Sequence, residues 1–275
     1  MSGLLRRLFG RRHSGTDPQL DSYERNGWAV YRGVIDADLV EKARDHLDWL
    51  QKRHPTAKVL GHTLITNDPF WVRLVADGAL LDIAEQFVGP DIALFASAYL
   101  SKPPRGGEPV LWHQDGSYWP LDPMEVVTLW LAVDDSTPEN GCMRVIPGSY
   151  KSELAPVLPR TDIANVLSSG MDESLVDSAK ATDVVLCAGD VSIYHPNIVH
   201  GSNSNFSDRR RCGLTIRYIP TTTTRILTGE NECFPSAFLL RGKSVPGINQ
   251  YNPWPRYNPG EHMWFRGCET FGPRI

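Results

Sequence analysis

From Asp36 onward, apolar residues recur at the three- and four-residue spacing of a helix: Leu39, Val40, Ala43, Leu47 and Leu50 share one face and charges take the other. Asp36 suits the N-cap, where a carboxylate accepts the unpaired amides of the first turn, and His54-Pro55 ends the run. A second helical stretch spans about Pro69 to Val88, carried by Phe70, Trp71, Leu74 and Val75, then Leu80, Leu81, Ile83, Ala84 and Phe87. Gly78 is a candidate break within it, and Gly89-Pro90 stops it.

Beyond residue 90 the pattern changes to short apolar runs separated by Pro, Gly, Asn and Asp: Ile92–Leu100, Val126–Val133, Met143–Ile146, Val191–Tyr194, Ile198–His200 and Cys212–Ile219. Helices followed by many short strands predict an α+β chain with a two-sheet jelly-roll core, a cupin-like double-stranded β-helix, and the helices packed outside. A polar stretch between about 150 and 183 interrupts the strands and reads as a lid or binding loop. Residues 246–265 place Tyr251, Trp254, Tyr257 and Trp264 among four prolines, too irregular for a helix and too aromatic for a solvated tail. An ordered strap over the barrel is the simplest reading; substrate contact or a homodimer interface are the alternatives.

The expected organisation is a basic tail over residues 1–19 and a single domain over 20–275. Its jelly-roll core spans about 90–220 and its C-terminal strap 221–275. A chain of 275 residues with 41% apolar content can bury one sizeable core. Net charge of −4 supplies no basic field for phosphates, so no nucleic-acid partner is expected. The five cysteines are odd in number and scattered, which suits free thiols in a reducing cytoplasm. No apolar stretch is long enough to insert stably in a membrane. The first residues hold Arg6, Arg7, Arg11 and Arg12 around Leu4, Leu5, Leu8 and Phe9, the composition of a lipid-touching or import segment or simply of a frayed tail.

The chemistry-bearing residues follow the helices. In Trp112-His113-Gln114-Asp115-Gly116, strand alternation sends His113 and Asp115 to one face, about 7 Å apart at the backbone. A third ligand is sought in Tyr194-His195-Pro196-Asn197-Ile198-Val199-His200-Gly201-Ser202. His200 is the better candidate, since the residues before it read as strand and small residues follow it; His195, before a proline, reads as a turn and stays the alternative. Two imidazoles and one carboxylate on one face of an octahedron suit non-haem iron(II) and leave three positions open, room for a bidentate 2-oxo acid and dioxygen. A closed four-ligand zinc site has no such room. Arg211, Gly213, Thr215 and Arg217 share parity on a late strand, so all four face inward if one does; an inward guanidinium suits the distal carboxylate of 2-oxoglutarate. Arg217 is then an anchor for an acidic substrate group or half of a buried ion pair.

Over roughly residues 20 to 220 the sequence resembles the phytanoyl-CoA dioxygenase family, which includes ectoine hydroxylases and many bacterial small-molecule oxygenases. The matching text is His113-Gln-Asp115, Trp130 in Thr-Leu-Trp-Leu-Ala-Val-Asp-Asp, Asn140-Gly-Cys-Met-Arg-Val-Ile-Pro-Gly-Ser149, Gly189-Asp190 and His200-Gly-Ser-Asn-Ser-Asn205. The resemblance implies iron(II), 2-oxoglutarate and O2 as cofactor and cosubstrates. It further implies an arginine eleven residues after the distal histidine, which is Arg211, and a serine two after it, Ser202. Gln114 and Trp130 correspond to the family's further cosubstrate contacts. It implies hydroxylation of a small-molecule C–H bond with release of succinate and carbon dioxide. Halogenating relatives lack the carboxylate ligand, so Asp115 points to hydroxylation or desaturation. Tyr118, Trp119 and the C-terminal aromatics are candidates to enclose an apolar or quaternary-ammonium group. A metal-dependent hydrolase would explain the three ligands but leave Arg211 and Ser202 without a task; a non-catalytic jelly-roll sensor is the other rival.

Overall fold

A computed structural model describes residues 17–57, 59–226 and 237–272. The basic segment 1–13 and Cys233 lie outside the described residues. Along the chain run α1 (Pro18–Asn26), β1 (Trp28–Tyr31), α2 (Ala37–Arg53), α3 (His62–Ile65), α4 (Pro69–Val75) and α5 (Gly78–Val88). Strands follow: β2 (Ile92–Lys102), β3 (Val110–His113), β4 (Leu121–Asp122), β5 (Val127–Ala132), β6 (Met143–Val145), β7 (Leu158–Pro159) and β8 (Ser169–Gly170). The last are β9 (Thr182–Val184), β10 (Val191–Tyr194), β11 (His200–Ser202), β12 (Arg211–Pro220), β13 (Thr224–Arg225) and β14 (Phe238–Arg241).

The helix signals in the sequence act as expected. Asp36 accepts the Leu39 amide at 2.8 Å as the N-cap of α2. The second stretch divides, and Asp77 caps α5 by accepting from the Ala79 amide, so the break falls one residue before Gly78. Both α1 and β1 lie ahead of the first element that periodicity marks. With Tyr23 its one fully buried side chain, α1 has no apolar stripe to read; a local signal defines it instead, Asp17 as N-cap, Pro18 in the first turn and Gly27 as the left-handed C-cap.

Two antiparallel sheets form the jelly roll, one in the order β1-β10-β5-β12-β2-β14 and the other β3-β11-β6-β9. The six-stranded sheet is buried on both faces, which is why its strands read as nearly continuous apolar runs. On one face Leu129, Leu131, Leu214, Ile216 and Tyr218 join Leu47, Trp71, Leu74 and Leu80 of the helices in the main core. At about 1.5–3 kcal/mol for each large apolar side chain buried, this face anchors the sheet to the helical layer. The alternate residues of β12 and β5 turn inward, and between the sheets Trp130 and Ala132 meet Met143, Val145, Val184 and Tyr194. The interior face of the rigid sheet therefore supplies one wall of a cavity and the shorter sheet the other. Three of the four strap aromatics pack, Trp254 and Tyr257 against the main core and Tyr251 against the cluster of Phe95 and Trp119, whereas Trp264 is exposed.

Candidate active site

His113 ends β3 and His200 begins β11, and the two are register partners across the small sheet, their ring centroids 4.1 Å apart. Asp115 is not on the strand. It opens a single 3-10 turn, Asp115–Ser117, that follows β3, so it reaches the histidines by a turn and not by alternation. Likewise Asn197–Val199 form a turn rather than the strand expected there, and β11 starts at the histidine itself. The outcome is compact: one ligand atom from each of His113, Asp115 and His200 lies within 4.8 Å of the others, and all three residues are buried.

The second nitrogen of each ring fixes its tautomer. His113 Nδ1 lies 2.8 Å from the Leu111 carbonyl and His200 Nδ1 3.0 Å from the Ile198 carbonyl. A carbonyl oxygen only accepts, so both Nδ1 atoms carry protons and both Nε2 lone pairs point at Asp115, whose Oδ1 is 3.5 and 4.0 Å away. Burial pulls His200 down to about 4, keeping the imidazole neutral at physiological pH. Burial pushes the Asp115 carboxyl up, but Arg217 and the two histidines overcome it and hold the group well below the usual carboxylate range. Its Oδ2 is buried with no hydrogen-bond partner. Two neutral nitrogen donors, one ionised carboxylate and an unsatisfied oxygen fit a divalent cation. His195, the alternative ligand, accepts from the Asn197 amide at 3.0 Å and packs on Tyr150, away from this cluster.

A cavity of ≈ 140 Å³ opens beside the three residues, lined among others by Trp130, Ser202, Arg211, Thr215 and Arg217. The shared parity of β12 therefore holds from Arg211 to Arg217. Arg211 is held by donating from Nε to the Gly141 carbonyl at 3.1 Å, and its guanidinium lies over the Trp130 ring at 5.1 Å from the centroid. Burial draws it down to about 10, still a cation at neutral pH. Two glycines permit this. At Gly213 a Cβ would sit 2.0 Å from the Trp130 ring, so the indole occupies the space that glycine leaves. Gly141 has φ +76°, and a Cβ there would meet the Asn203 carbonyl at 2.5 Å. The Asn140-Gly141 turn is thus structural in origin yet supplies the acceptor that aims Arg211.

Gln114 does not join the cavity lining. Its carboxamide donates to the Asn197 carbonyl and accepts from the Ala155 amide, both at 2.8 Å, tying two loops together instead of facing the cosubstrate space. Trp119 is stacked on Arg217 at 5.0 Å, so its face serves a protein guanidinium, not a quaternary ammonium. Tyr118 spends its hydroxyl on Ser169 at 2.9 Å.

One residue escaped the sequence reading. Lys102 is the register partner of Arg211, shares parity with the cavity-lining Ala98 and Leu100 of β2, and is 2% exposed. Its ammonium donates to Ser202 Oγ at 2.7 Å and to the Asn203 carbonyl, with no carboxylate within 4 Å among the described residues. Burial, reinforced by Arg211, pulls it down to about 6. The available signal was the same alternation that flagged Arg211, applied to Ile92–Lys102; the apolar run ended two residues too early to include it.

The model of the phytanoyl-CoA dioxygenase family matches residues 23–213, more than half of the chain. Among characterised proteins, the chain is 30% identical over 175 residues to a probable alpha-ketoglutarate-dependent hypophosphite dioxygenase of Stutzerimonas stutzeri, covering 62% of this chain and 60% of that protein. It is 26% identical over 237 residues to the L-proline trans-4-hydroxylase of Streptomyces griseoviridis, covering 75% and 88%. The solved structure of the non-heme monooxygenase ThoJ in its apo form superposes with a TM-score of 0.71 at 24% identity, covering 86% of this chain and 87% of that one, a likeness of fold. With the family model covering more than half of the chain and its matched segment containing His113, Asp115, His200 and Arg211, the chain belongs to the phytanoyl-CoA dioxygenase family.

Proposed function

We propose that the protein is an iron(II)- and 2-oxoglutarate-dependent dioxygenase that hydroxylates a C–H bond of a small molecule, with His113, Asp115 and His200 as the metal ligands. The observation that carries this is the pairing of a buried, half-satisfied His-Asp-His cluster with the buried Arg211 guanidinium on the same cavity wall, beside Ser202, which lines the cavity and is hydrogen-bonded to buried Lys102. When bound, iron(II) with 2-oxoglutarate supplies the oxidative chemistry, releasing succinate and carbon dioxide. The chain's own residues bind and orient. Leu111 and Ile198 hold the two imidazoles in the ligating tautomer. Arg211, stacked on Trp130 and aimed by Gly141, offers its fork to the distal carboxylate, and Ser202 and Lys102 stand beside it. Ala98, Leu100, Val110 and Met143 line the cavity and keep water from the reacting centre. A hydrolase has no use for a buried guanidinium beyond the metal, and neither a hydrolase nor a sensor consumes 2-oxoglutarate.

A cavity of ≈ 140 Å³, part of it meant for 2-oxoglutarate, limits the substrate to a small metabolite. The names of the two relatives, a hypophosphite dioxygenase and a proline hydroxylase, support that size class. No described helix is long and apolar enough to cross a membrane. A cytoplasmic location without a nucleic-acid partner is part of the proposal, supported by the scattered cysteines and the net charge of −4.

The test is anaerobic titration of the metal-free protein with iron(II) and then 2-oxoglutarate, followed by succinate measurement in air. The expected result is one ion per chain, a visible charge-transfer band when 2-oxoglutarate is added, and iron-dependent succinate. Asp115→Ala should lose the band and the succinate; normal turnover by that variant would refute the ligand assignment.

A further inference from the structure

We propose that Arg217 anchors an anionic group of the substrate, and that the substrate is a small carboxylate with an apolar body; this rests on the metal and 2-oxoglutarate reading above. The guanidinium lines the cavity and is fixed in place on two sides, by Trp119 beneath it and by Nη1 donating to Thr215 Oγ1 at 3.1 Å. Its Nε has no hydrogen-bond partner. Among the described residues one carboxylate lies within 4 Å, Asp115, at 3.7 Å from Nη2 to Oδ2, beyond hydrogen-bond reach.

That contact cannot neutralise Arg217 in the loaded site. Asp115 is the one carboxylate among the described residues lining the cavity. The divalent ion and the dianionic cosubstrate cancel, the histidines ligate as neutral imidazoles, and the single charge of Asp115 offsets only one of Arg211 and Arg217, with Lys102 adding to the excess once it is protonated beside the cosubstrate. A second guanidinium is left uncompensated inside the protein, an arrangement that burial strongly penalises. A substrate bringing a negative charge to Arg217 offsets that guanidinium. The edge formed by Nε and Nη2 is the pair of parallel donors that a carboxylate matches, and it belongs to the only cavity-lining arginine besides Arg211 among the described residues. Val59, Ala98 and Leu167 on the same cavity supply apolar contact for the rest of the molecule.

The experiment uses iron(II)-loaded protein under nitrogen, saturated with 2-oxoglutarate so that Arg211 and Lys102 are occupied. Propionate through hexanoate, and the amides of the same acids, are titrated in by calorimetry while tryptophan emission is followed, since Trp119 lies under the anchor. Saturable binding of at least one carboxylate, with the matching amide bound at least about 10-fold more weakly, is expected. With iron(II) and 2-oxoglutarate held at saturation, Arg217→Gln should weaken the carboxylate on the order of 10- to 100-fold; Arg217→Lys should recover part of the loss. Equal binding of acid and amide, no saturable carboxylate binding, or unchanged carboxylate binding by Arg217→Gln would overturn the proposal. A weakening of the carboxylate that disappears once iron(II) and 2-oxoglutarate are restored to saturation would also overturn it, by making the guanidinium a positioning residue for Asp115. If the wild-type protein shows no charge-transfer band at all, the cosubstrate reading has failed instead, and the carboxylate titration of the metal-free protein still decides the role of Arg217.

Discussion

Replacing Lys102 by methionine separates the cost of burying a cation from its use. With its ammonium pulled down to about 6 by burial and by Arg211, Lys102 is mostly neutral in the ligand-free protein at physiological pH. A carboxylate arriving beside it favours the protonated form, so binding takes up a proton, and the sign follows. Below pH about 6 the ammonium is already charged and affinity is flat; above it, each unit of pH costs about 1.4 kcal/mol to keep the proton on. The wild-type dissociation constant for 2-oxoglutarate should therefore rise about 50-fold between pH 6 and pH 8. A charge-assisted hydrogen bond contributes about 1.5–3 kcal/mol, so Lys102→Met should bind 2-oxoglutarate about 10- to 100-fold more weakly at pH 6. By pH 8 the protonation cost of about 2.7 kcal/mol nearly cancels that contribution, and variant and wild type should converge. Ligand-free Lys102→Met loses a buried amine but leaves Ser202 Oγ and the Asn203 carbonyl without its hydrogen bonds, so the two effects oppose and stability should stay within about 1–3 kcal/mol of wild type. The assay is calorimetry at fixed metal saturation in buffers of differing ionisation enthalpy, which reports proton uptake directly, with thermal unfolding alongside. A wild-type affinity that is flat from pH 6 to 8, or a variant that equals wild type at pH 6, would refute the reasoning.

Two further outcomes test the scaffold. In Gly213→Ala the new methyl meets the Trp130 ring, so the indole must move and take its support from Arg211; stability should fall by about 1–3 kcal/mol and 2-oxoglutarate affinity should fall with it, measured by thermal unfolding and by titration. Asp68 caps α4 at the Trp71 amide, 2.8 Å, and accepts from buried His46 at 2.9 Å. Burial raises its carboxyl, but His46 and the Trp71 amide outweigh that and hold it below the usual carboxylate range, so its contribution is full above that range and is lost as pH falls through it. Asp68→Ala should cost about 3–5 kcal/mol near neutrality and flatten the acid limb of the stability profile; an acid limb unchanged from wild type would show that another group controls it.

The ligand set was legible because each residue type carries its chemistry wherever it sits: His113, Asp115 and His200 have no better joint explanation than one cation, and the parity of Arg211 with Thr215 survives in a strand held straight by partners on both sides. What failed was the local route by which the residues meet. Asp115 arrives on a 3-10 turn, and the residues before His200 form a turn, since short strands end where partners end and no local pattern records that. Gln114, which the resemblance makes a cosubstrate contact, has its carboxamide bonded to the loops at 155 and 197, partners that no local pattern records.

Sequence alone determined the ligand types, the two-faced burial of β12 and the α+β architecture, because periodicity and residue chemistry are local quantities. The tertiary structure alone decided that Lys102 stands beside Arg211, that Trp119 is taken by Arg217, and that the pocket holds more buried positive charge than Asp115 can balance. Those facts depend on distances between segments far apart in the chain, and charge balance inside a cavity exists only once the cavity has closed.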